Sequence, residues 1–139
     1  MGYYTRLHID VRLKRETPKE FLRVIDAEIC QRPWNSILPA VDPKINHPFF
    51  NCYRWPAMFT CINFNESLGS TFRKHKAHGY WLLKIDTEFK NYDDEIELFV
   101  DWISPWIIGR KKKQYIGWYQ GEGDDHRTNI YVETAKFSK

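Results

Sequence analysis

An α+β fold is predicted for this 139-residue chain by three features: stretches that alternate apolar and polar side chains, two amphipathic segments of helical period, and a glycine-containing turn between strand-forming runs near the C-terminus. Apolar residues make up 42% and aromatics 17%, six of them Trp, which is enough for a packed core and too hydrophobic for a disordered polymer. The length fits one domain over 1–139.

The first element is "YYTRLHIDVRL". Tyr3, Thr5, Leu7, Ile9, Val11 and Leu13 fall on one face of a strand, and Tyr4, Arg6, His8, Asp10 and Arg12 on the other. In "TPKEFLRVIDAEIC", Thr17 can cap a helix, Pro18 suits its first position and Glu20 completes a capping box. Phe21, Leu22, Ile25 and Ile29 make its apolar stripe. Pro33, Pro39, Pro43 and Pro48 forbid a long regular element over 31–55, predicted to be an ordered connection packed down by Trp34, Ile37, Leu38, Phe49 and Phe50.

"AMFTCINF" predicts a second strand over 57–64, turned by Asn65, Glu66, Ser67 and Gly69. "GYWLLKIDTEF" predicts a third, with Trp81, Leu83, Ile85 and Phe89 on one face and Lys84, Asp86 and Glu88 on the other. Asn91 and the acidic Asp93, Asp94 and Glu95 start a second helix, where negative charge meets the positive dipole end, and Ile96, Phe99, Val100 and Ile103 keep helical spacing up to about Pro105. "KQYIGWYQ" and "NIYVET" form a closing hairpin around "GEGDDHR". The order β-α-β-β-α-β-β predicts a ferredoxin-like βαββαβ sandwich with an added C-terminal strand, the helices on one face of an antiparallel sheet. The other face, carrying Arg6, His8, Asp10 and Lys84, is then open to a partner.

No run of eighteen apolar residues exists, so no membrane helix is expected. The alternating N-terminus is unlike a signal peptide. Three cysteines, at 30, 52 and 61, form no close pair, which favours a reducing cytoplasm over a disulfide framework. Cys52 and Cys61 match no common zinc spacing, and His75 and His78 lie in another segment, so no metal or cofactor is expected. Cys61 reads as a small buried hydrophobe, and "HPFFNCYRWPAMFTC" as core strand with its packed lead-in.

A net charge of +3 does not itself point to nucleic acid. Two basic clusters do: Arg73, Lys74 and Lys76 in "FRKHK", and Arg110, Lys111, Lys112 and Lys113 in "GRKKK", although cations after a helix C-terminus are favoured by the dipole alone. "HGYWLLKI" resembles the third-strand motif of RNA-recognition-motif domains, with His where Lys or Arg is usual and Trp where a small residue is needed. The outward-facing aromatics read from the sequence are Tyr80 and Tyr4. "HID" at His8 and "HRT" at His126 resemble the paired elements of two-histidine phosphoesterases, but Asp10 stands where the first hydroxyl residue belongs.

"MGYYTRLHIDV", "FKNYDDEIELFVDWISPW" and "GWYQGEGDD" together resemble pieces of small uncharacterised proteins of phages and bacterial mobile elements, over roughly half the chain. The resemblance implies an accessory protein, an inhibitor that binds and blocks a host protein. The residues themselves provide no catalytic constellation. The expected function is therefore non-enzymatic protein binding through Tyr4, Arg6, His8, Asp10, Arg12, Tyr80 and Lys84, with Trp106 and the basic run behind it. Nucleic-acid binding through Arg73, Lys74, Lys76, Lys111, Lys112 and Lys113 is the alternative, and phosphodiester chemistry a second.

Overall fold

Strand β1 (Thr5–Leu13) realises the alternation of its sequence: Leu7, Ile9, Val11 and Leu13 are at most 5% exposed, whereas Asp10 and Arg12 are exposed and Arg6 and His8 half-buried. The computed structural model describes residues 4–29, 47–52, 55–59, 69–91, 94–109 and 112–133. Each buried side chain of that size stabilises the fold by about 1.5–3 kcal/mol, which fixes the register, because a slip of one residue would bury the charged row instead.

Helix α1 (Lys19–Ile29) buries Phe21, Val24 and Ile25. At its start the Thr17 hydroxyl donates back to the Lys14 carbonyl at 2.7 Å, while the Phe21 and Leu22 N–H groups both donate to the Pro18 carbonyl. Helix α2 (Glu95–Ile103) buries Ile96, Phe99, Trp102 and Ile103, and the Asn91 side chain accepts from the Ile96 N–H at 3.2 Å, satisfying one orphan donor of the first turn. Pro105 ends the helix in a 3-10 turn over Ser104–Trp106.

Of the strand predicted over 57–64, residues 57–59 are described and are not extended, since Trp55–Met58 is a 3-10 turn; residues 60–68 lie outside the described residues. The strand that pairs with the third is instead β2 (Thr71–Lys74), inside the basic cluster. Strands β3 (Trp81–Phe89), β4 (Lys113–Gly121) and β5 (Thr128–Glu133) complete an antiparallel sheet of five strands in the order β2-β3-β1-β4-β5.

Of the Pro-rich connection, 47–52 and 55 are described, with Phe49, Phe50, Cys52 and Trp55 buried; Trp34, Ile37 and Leu38 lie outside the described residues. His47 caps a 3-10 turn over Pro48–Asn51: its Nδ1 accepts from the Phe49 N–H at 3.1 Å and its Nε2 lies 2.8 Å from the Asp101 carboxylate. Phe49 is fully buried, with its ring 5.2–6.4 Å from those of Phe50, Trp55, Phe59, Phe99 and Trp102. The aromatic density of this stretch is core packing. Among the described residues no helix is long and apolar enough to cross a membrane.

Candidate functional site

The side-chain period of two puts Arg6, His8, Asp10 and Arg12 on the polar face of the central strand, and the ladder sets their neighbours. Arg6 lies between Glu88 and Gln120, His8 between Asp86 and Trp118, Asp10 opposite Lys84 and Arg12 opposite Leu82. Positive and negative groups thus alternate across the face. The Arg6 Nη2 donates to Asp86 at 3.3 Å, while its buried Nε has no hydrogen-bond partner. Because the Arg6 side chain is 41% exposed, this ion pair contributes less than about 1 kcal/mol and serves to orient the guanidinium.

Trp118 is the centre of this half of the face. The His8 ring stacks on it at 5.8 Å and 26°, and the guanidinium groups of Arg6 and Arg127 lie 5.7 and 3.9 Å from its ring. Each such cation–ring contact contributes about 0.5–2 kcal/mol, depending on its desolvation. Arg127 arrives from the β4–β5 turn, which is pinned by several hydrogen bonds. The Glu122 N–H donates to the Tyr4 carbonyl at 2.9 Å, and the Tyr4 N–H donates to the Glu122 carboxylate at 3.0 Å. The Gly121 N–H donates to the Asp124 carboxylate at 3.0 Å, and the Gln120 amide donates to the Asp124 carbonyl at 2.8 Å. Tyr4, Arg6, Glu88, Trp118, Gln120 and Arg127 line the resulting cleft of ≈ 440 Å³, with the turn as its rim.

Farther along β4, a bulge between Tyr115 and Gly117 turns the strand away from β1. It leaves Tyr115 and Tyr131 as an exposed pair, 45% and 46% accessible, with rings 5.6 Å apart and the Lys113 ammonium 4.8 Å from Tyr131. A smaller cleft of ≈ 290 Å³ beside them is lined by Asp10, Arg12, Ile108, Gln114 and Tyr115.

The other candidates divide. Tyr80 lies 5.2 Å under the Arg12 guanidinium, and Arg73, Lys74, Lys76 and Lys84 are all exposed in the β2–β3 half of the sheet. Trp106 is half-buried, its ring packed edge-on against Phe21 at 5.9 Å on the rim of the core. Lys112 and Lys113 are exposed, and Lys111 falls outside the described residues. His126 is exposed in the β4–β5 turn beside Arg127. Among the described residues no three His, Cys, Asp or Glu side chains converge on a metal position, and the Cys52 side chain is buried.

Trp118, Arg127, Tyr115 and Tyr131 are absent from the sequence-based candidates. The signal was the alternation of "KQYIGWYQ" and "NIYVET", broken by a bulge that only the pairing of β4 with β5 makes visible. Compared with known protein families, curated proteins and solved structures, the chain matches none, so this surface is read from its own chemistry.

Proposed function

We propose that this is a non-enzymatic protein-binding module, an accessory protein of the phage or mobile-element type that acts in the cytoplasm by docking on and modulating a host protein. The observation that carries the reading is the Trp118 cluster, a half-buried indole held between Arg6, His8 and Arg127 on a pre-formed sheet surface, continued by the exposed Tyr115–Tyr131 pair. Trp, Tyr and Arg are the side chains that dominate protein-interface energetics, and a rigid sheet presents them with little ordering cost.

One feature favours protein over nucleic acid on this half of the face. Asp86, Glu88, Glu122 and Asp124 alternate with the arginines, which weakens the attraction for a polyanion and suits a partner of mixed charge.

The reading includes a ferredoxin-like sandwich with both helices on the opposite face. The strand order β2-β3-β1-β4 with β5 outside supports it, as does the single core cluster shared by α1, α2 and the apolar side of β1.

Capture from bacterial lysate tests the function. The wild-type protein should retain a specific host protein in moderate salt, and Trp118→Ala should reduce retention at least tenfold while the variant still folds cooperatively, with a melting temperature lowered only by the lost ring contacts of a half-buried indole outside the core. Retention indifferent to Trp118→Ala would move the interface elsewhere. A phosphodiesterase activity abolished by His8→Ala or His126→Ala would replace the binding reading with an enzymatic one.

A further inference from the structure

The β2–β3 hairpin end of the sheet is chemically unlike the Trp118 half. Its turn runs His75-Lys76-Ala77-His78-Gly79-Tyr80, closed by His75 N–H to the Tyr80 carbonyl at 2.8 Å and Gly79 N–H to the His75 carbonyl at 2.9 Å. Gly79 suits the turn because its φ is +78°, a conformation that L side chains rarely adopt. Folded this way, the turn brings three flat rings nearly parallel. His75 and Tyr80 are 4.6 Å apart at 25°, His75 and His78 5.1 Å at 20°, and His78 and Tyr80 5.9 Å at 5°. His78 is exposed.

Cations surround these rings. Arg12 lies 5.2 Å from Tyr80, Arg15 packs at Gly79, and Lys76 is in the turn itself. Arg12 and Arg73 both pair with Leu82 across the ladder, so they stand on the same face two strand spacings apart, roughly 10 Å. All four are exposed, and among the described residues none of them is in an ion pair. Like charges that form no ion pairs of their own are unfavourable together in the free protein and are relieved by a polyanion.

We propose that this corner binds single-stranded nucleic acid, with bases stacking on the His78–His75–Tyr80 rings and phosphates taken by Arg12, Arg15, Arg73 and Lys76. Flat rings beside unpaired cations are the two components of such sites. The single strand is favoured over a duplex because ring stacking needs a base released from its own stack. The inference rests on a different patch from the Trp118 surface and stands or falls independently of it.

Fluorescence anisotropy with labelled oligo(dT) and oligo(rU) of about twelve nucleotides tests it. Both should bind at low salt, with a log–log salt slope of about −2 to −3 for three or four phosphate contacts. The double variant Arg73→Ala/Lys76→Ala should lower the slope's magnitude by about 1.4. His78→Ala should weaken binding roughly five-fold or more while leaving the slope unchanged, the signature of lost stacking. Trp118→Ala should bind the oligonucleotides like wild type. The absence of binding at low salt, or equal affinity for a duplex or for polyglutamate of matched charge, overturns the proposal, as does a wild-type affinity in His78→Ala. Thermal melts of each variant confirm that surface changes alone are compared.

Discussion

Phe49→Ala is expected to destabilise the protein by about 3–5 kcal/mol, at the top of the range for a single core truncation. The ring is fully buried and meets five other aromatic rings, two from the described part of the connection, two from α2, and Phe59. These rings crowd around one position from several directions, so a cavity there cannot collapse onto a single flexible neighbour, which keeps the cost at the upper end. Against a total stability of about 5–15 kcal/mol, the loss is a large fraction. A urea titration should show the midpoint falling by roughly 2 M, whereas Phe49→Leu, which keeps most of the volume, should cost under about 1.5 kcal/mol. If Phe49→Ala unfolds at the wild-type midpoint, the connection does not belong to the core.

Gly117→Ala is expected to damage both stability and binding. A Cβ at this position would lie 1.9 Å from the His8 carbonyl oxygen and 2.9 Å from the Ile9 Cα, both backbone atoms that cannot rotate aside. The strands must therefore separate where β4 leaves its ladder with β1, at a cost of about 2–4 kcal/mol. A fall in melting temperature of roughly 10 °C is expected for a chain of this size. The next residue is Trp118, so its stack on His8 is lost as the strands part, and partner retention should fall with it. Trp118→Ala provides the contrast, losing retention with a smaller fall in melting temperature, because the paired backbones of β1 and β4 are left in place. A Gly117→Ala protein with wild-type melting would mean that the close approach of β1 and β4 is not maintained in solution.

Much of the fold was legible because burial and sequence period agree. Leu7, Ile9, Val11 and Leu13 are buried as their alternation requires, and Ile96, Phe99 and Ile103 are buried at helical spacing. Strand β2 was not legible: "TFRK" has one apolar residue and three exposed ones, and its extended state comes from pairing with β3 rather than from its own pattern. Of "AMFTCINF", residues 57–59 are described: its composition suits a strand, yet Ala57 and Met58 belong to the 3-10 turn that carries Pro56, and Met58 and Phe59 are buried.

The charged row on β1 was readable residue by residue, since the period alone sets its face. Its neighbours were not. That Trp118 stands beside His8, and that Arg127 reaches back over the indole, depends on the register of β4 and on the hydrogen bonds of the turn. Both are long-range facts that no local pattern encodes. The two histidines of the turn between β2 and β3 were visible as a pair, but their alignment with Tyr80 required the turn to close at Gly79.

Site-specific photocrosslinking in bacterial cells tests the protein-recognition surface most directly, because it traps whichever protein docks there without the partner having to be named first. A photoreactive phenylalanine derivative placed at Tyr131, exposed on β5 beside the Trp118 cluster, is compared with the same group at Lys19, exposed on α1. A discrete protein adduct from position 131, absent from position 19 and lost when Trp118→Ala is added, is the predicted result. Adducts of equal intensity from both positions, or none from position 131, would contradict it.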